Sequence, residues 1–144
     1  MIEKDTVRLL RECDAGVKMG TASIDQVLKY VRADALRELL SDGKLEHERL
    51  NTQIQERLDR FQDEGKDPNP LAQRMSSVMT GVKLTMHESD GTIADLMTDG
   101  CNMGVKSLSR YLNEYKAADE FSKDIAKKLI ALESKMSEDL RSFL

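Results

Sequence analysis

The chain has no tryptophan and only three tyrosines and three phenylalanines in 144 residues. Sheets draw on aromatic and β-branched side chains, so this poverty disfavours a β fold. Proline is scarcer still: Pro68 and Pro70 are the two in the sequence, both near its middle, and the long flanks are free of helix breakers. No apolar run approaches the roughly 20 residues that a helix needs to cross a bilayer. The N-terminus opens on Glu3, Lys4 and Asp5 where a signal peptide would place an apolar core, so a cytoplasmic protein is expected. Two cysteines, Cys13 and Cys101, are too few for a disulfide scaffold and are expected to be reduced, although they occupy matching positions and could lie near each other in a symmetric bundle. There is no Gly-rich phosphate loop, nucleophile elbow or Ser/His/Asp arrangement, so no catalytic apparatus is visible. The net charge is −4 and the basic residues are interleaved with acids, which argues against nucleic acid as a partner.

What the chain does have is helix-forming material. Hydrophobic residues make up 40 % and charged residues 33 %, enough for one globular all-α domain with a real core. The hexapeptide Cys13-Asp14-Ala15-Gly16-Val17-Lys18 recurs as Cys101-Asn102-Met103-Gly104-Val105-Lys106, each copy inside a long amphipathic pattern. The first pattern runs through Leu10, Cys13, Val17, Gly20, Ile24, Val27 and Val31, and the second through Leu36, Leu40, Gly43, His47, Leu50, Ile54, Leu58 and Phe61. A break near Arg32 to Asp34 separates them, with Asp34 as a cap. The third carries Cys101, Val105, Leu108, Leu112 and Tyr115, and the fourth Phe121, Ile125, Leu129, Leu132, Met136, Leu140 and Phe143, with the junction near Ala117 to Asp119. Thr92 reads as the cap of the third helix, after a turn at Ser89-Asp90-Gly91.

The expected architecture is therefore a four-helix bundle made of two repeated helical hairpins, one over residues 3–64 and one over 92–144. The linker, 65–91, would hold a short extra helix from Leu71 to Met86. Glycine inside a helix costs about 1 kcal/mol relative to alanine. Gly16, Gly20, Gly43 and Gly104 on the seams thus predict close helix approach, with leucine at Gly16 or Gly104 overpacking the core.

Two hairpins, a crossover bearing an extra helix and the Cys-x-x-Gly element in helices one and three resemble the ferritin-like superfamily, and more closely an uncharacterised bacterial branch of it, a domain of unknown function. Active members carry a carboxylate on helices one and three and Glu-x-x-His on helices two and four, which together bind two irons. The corresponding stretches here read Lys44-Leu45-Glu46-His47 and Glu133-Ser134-Lys135-Met136, so each has lost half of its motif. The upstream inward positions are Cys13 and Cys101, with Glu12 and Asp99 nearby. The resemblance thus implies a degenerate di-iron site, with Lys44 facing Glu133 as a buried ion pair in place of metal.

His47 falls on an apolar seam opposite the place of Met136 and is expected to be a core histidine bonded to a neighbour, while His87 is expected at the surface. A buried position also argues against a phosphotransfer histidine. Cys13, His47, Cys101 and Glu133 are the candidates for a non-standard iron or zinc site, should they converge. Met75, Met79, Met86, Met97 and Met103 read as adaptable core or partner surface, and the crossover helix as a possible homodimer contact. The expected role is structural or interactive and not catalytic, with no cofactor; the alternative is a metal-binding or redox protein.

Overall fold

The computed structural model describes residues 2–70, 81 and 88–144. Four long helices account for most of them: α1 (Ile2–Leu28), α2 (Asp34–Arg60), α3 (Asp90–Glu114) and α4 (Glu120–Leu140), followed by a 3-10 turn at Arg141–Phe143. There is no strand among the described residues. The short helix expected from Leu71 to Met86, its methionines Met75, Met79 and Met86, and His87 lie outside the described residues, Gly81 excepted.

Helix ends are set by specific hydrogen bonds. Asp34 is the first residue of α2 and not its cap; Ala33 holds that place without a side-chain bond. The turn before α2 is secured from another helix instead, by the Asp90 carboxylate accepting the backbone N–H groups of Arg32 and Ala33 at 2.9 Å each. Ser89, not Thr92, caps α3: its hydroxyl accepts the Thr92 N–H at 3.1 Å, so the Ser89-Asp90-Gly91 triplet begins the helix. Asp119 caps α4 through the Ser122 N–H at 2.8 Å.

These bonds also fix direction. The start of α3 meets the end of α1 through Asp90, and the start of α1 meets the α3–α4 junction, where Asp5 and Thr6 accept the N–H groups of Ala117 and Asp119. Hence α1 and α3 are antiparallel. Gly43 on α2 stands against Met136 on α4, and His47 against Glu133, so that pair is antiparallel too. With each hairpin antiparallel within itself, the order is up, down, down, up, and the link from α2 to α3 must traverse the bundle. A 27-residue helix at 1.5 Å per residue makes that about 40 Å.

The crossover begins along α1. Asp63 pairs with Arg11, Lys66 with Glu12 at 2.5 Å, and Asp67 with Lys18 at 2.9 Å. The core beneath divides into two clusters. One holds Leu9, Leu10, Cys13 and Val17 of α1, Leu50, Ile54 and Leu58 of α2, Leu108 of α3, and Ile125, Ala126 and Leu129 of α4. The other holds Ile24 and Val27, Leu36 and Leu40, Ile93, Ala94, Met97 and Cys101, and Met136 and Leu140.

Three expectations change. Cys13 and Cys101 belong to different clusters and are both free and buried, so they do not meet. Gly16 is exposed, and a Cβ there would find nothing within 4 Å. Close approach does occur at Gly20 and Gly43, as expected, where an added Cβ would lie 3.1 Å from His47 Nε2 and 2.6 Å from Met136 Cε. On α4 the inward residue between Leu129 and Met136 is Glu133, and Leu132 is only partly buried.

Candidate functional site

Between the two apolar clusters lies a waist to which each helix contributes one inward residue: Gly20 from α1, His47 from α2, Gly104 from α3 and Glu133 from α4. His47 is 1 % exposed and Glu133 9 %. A charged group so far from water needs partners, and each has them. His47 Nδ1 lies 2.7 Å from the Gly43 carbonyl oxygen, and Nε2 lies 2.8 Å from Glu133 Oε1. A carbonyl can only accept, so Nδ1 carries a hydrogen and donates it. One further proton must lie between Nε2 and the Glu133 oxygen, since two bare acceptors would repel at that separation.

Of the two glycines, Gly20 is the one the pairing needs. A Cβ at Gly20 would press on His47 Nε2, and one at Gly104 would reach Glu133 carboxyl atoms at 3.4 to 3.6 Å. The His47 ring from α2 thus occupies space that α1 leaves empty, whereas a Cβ at Gly104 would sit in ordinary contact with Glu133. The third member of the group is Cys101, buried beside the Glu133 carboxylate. Burial first, then the charge and hydrogen bond of Glu133, push the Cys101 thiol far above its ordinary range. A thiol so placed stays protonated and is a poor nucleophile. His47 is pulled down by burial, but the Glu133 hydrogen bond and charge, with the Gly43 carbonyl, outweigh this and leave its pKa raised.

Of the four residues singled out from sequence, His47, Cys101 and Glu133 therefore converge, while Cys13 sits in the other cluster with its thiol pushed up to about 12, chiefly by burial. Among the described residues, no group of three or more His, Cys, Asp or Glu side chains is disposed to hold a metal ion. Lys44 does not face Glu133. It is a third exposed and bonds Asp25 on α1 at 2.7 Å, because a lysine three residues before His47 points off the seam and can keep its ammonium in water. The expectation of a core histidine bonded to a neighbour is met.

No known family, curated protein or solved structure matches the chain. The described helices are also not long and apolar enough to cross a membrane.

Sequence reasoning missed a second buried polar centre. Asp14 is fully buried on α1; Oδ1 accepts the Gln55 side-chain N–H at 2.6 Å, and Oδ2 accepts the Lys66 backbone N–H at 2.9 Å and pairs with Lys18 at 3.0 Å. The signal was present in the repeat, where Asp14 is replaced by Asn102 in the second copy. A shallow groove of about 310 Å³ on α2, lined by Glu48, Asn51, Thr52, Gln55, Glu56 and Asp59, shares no residue with the waist.

Proposed function

We propose that this protein is a non-catalytic bundle of the ferritin-like kind, with a structural or interaction role, whose ligand positions have been given over to packing. The observation that carries this reading is the mutual engagement of His47 and Glu133. Both imidazole nitrogens are committed, one to the Gly43 carbonyl and one to the Glu133 carboxylate. A metal would have to displace a buried hydrogen-bonded pair before gaining either ligand. The facing positions on α1 and α3, where a di-iron bundle keeps carboxylates, are Gly20 and Gly104. The up, down, down, up order with a crossover accords with that superfamily.

Anaerobic titration with ferrous iron, followed by exposure to air, tests the proposal. No stoichiometric binding and no oxidation faster than in buffer are expected. Two irons per chain by elemental analysis would overturn it.

A further inference from the structure

The waist holds a titratable pair for which a passive packing role supplies no use. His47 and Glu133 form a buried polar link between α2 and α4 at mid-bundle, flanked above and below by the two apolar clusters. The groups facing them are few. From α1 comes Gly20, without a side chain; from α3, the Cys101 thiol on Glu133; and on α2 itself Lys44, turned outward to Asp25 and Glu48.

We propose that the His47–Glu133 pair is a proton-dependent clasp between α2 and α4, closed while one proton bridges Nε2 and Oε1 and opened when that proton is lost. The physical reason is geometric. Because Gly43 fixes the other hydrogen on Nδ1, deprotonation leaves a lone pair on Nε2 directed at a carboxylate 2.8 Å away. The ring cannot flip to present a hydrogen without forfeiting its bond to the Gly43 carbonyl. Separation of the two side chains is the remaining relief, and it loosens the bundle where all four helices meet.

The sign follows from the raised folded-state pKa of His47. The clasp contributes fully below the unfolded imidazole value of about 6.5, and its contribution is lost as pH rises through the folded value. The device concerns protons and not metal, so the iron titration and the experiment below can fail independently.

The test begins on His87→Gln, which leaves one imidazole to follow by NMR. His47 should titrate above 6.5, and Glu133→Gln, which keeps the shape and removes the charge, should lower that midpoint by about one pH unit or more. The variant should also flatten the fall in melting temperature on the alkaline side. Opening itself is read from alkylation of Cys101 against Cys13, using the two single Cys→Ser variants. Both thiols titrate far above the working range, so their rates rise in parallel with pH unless Cys101 is uncovered. A Cys101 to Cys13 rate ratio that climbs through the His47 midpoint supports the clasp. A constant ratio, or a His47 midpoint at or below 6.5, overturns it.

Discussion

Asp14 on α1 receives the backbone N–H of Lys66 at 2.9 Å, across 52 residues of sequence, and this bond seats the start of the crossover on the bundle. The same carboxylate holds Gln55 of α2, so one buried side chain joins the first hairpin to the connection that follows it. Asp14→Asn should expose the dependence. An amide offers one acceptor oxygen in place of two, and its N–H₂ would face a donor, leaving either Gln55 or Lys66 unsatisfied. The expected loss is about 1 to 3 kcal/mol, measured as a shift in urea midpoint at unchanged slope. Asn102, the equivalent in α3, is exposed and accepts the Ser137 hydroxyl at 3.2 Å, and Asn102→Asp should change stability by less than about 0.5 kcal/mol.

The glycines should separate into classes. Gly65 adopts φ +87°, and a Cβ there would stand 2.3 Å from Asp14 Oδ2, so Gly65→Ala should cost about 1 to 3 kcal/mol. Gly43→Ala meets only the flexible end of Met136 and should cost less. Gly16 has open space in a regular helix, and Gly16→Ala should stabilise by about 0.5 to 1 kcal/mol. Thermal melts of the three variants give the ranking.

Both cysteines should resist a disulfide reagent at pH 6, where the His47–Glu133 clasp is closed, in the native protein. The Cys13 thiol, pushed to about 12, is almost wholly protonated there, and both side chains are buried. Denaturant should release two equivalents per chain, and oxidation of the native protein should yield no internal bridge. Fast labelling of the folded form would contradict their burial.

Asp90 caps a turn to which it is not connected in sequence. Removing its carboxylate with Asp90→Ala strands the N–H groups of Arg32 and Ala33, and the cost should be about 1 to 2 kcal/mol. Asp34→Ala, at the exposed first residue of the helix itself, should cost less than half as much. Paired unfolding curves decide it.

The first two helices were legible because their seams are nearly unambiguous: Leu10 through Val31 and Leu36 through Leu58 are inward at almost every expected position. The fourth was read one residue off at Leu132. Spacings of three and four are equally compatible with a helical seam, and a glutamate gives no hydrophobic cue to its own burial. Gly16 illustrates a different limit, since a helical wheel cannot separate a glycine beside the seam from one within it. Capping by Asp90 was out of reach for a further reason: its partners lie in the α1–α2 turn, more than 50 residues away in sequence, and local rules describe only bonds within one turn. In the candidate site, the residue types were visible but not their pairing. Lys44 and His47 share the motif, and only the packed bundle decides which of them meets Glu133.

The division of the core into two clusters bears on how the chain can be cut. Each cluster is assembled from the ends of all four helices, so neither hairpin owns a complete apolar interior. A peptide ending in the crossover and another beginning after it would each present an unmatched face to water, and each should remain largely unstructured in isolation. Mixed together, they should recover helicity as an equimolar complex. The bundle is in this sense two complementary half-molecules held on one thread.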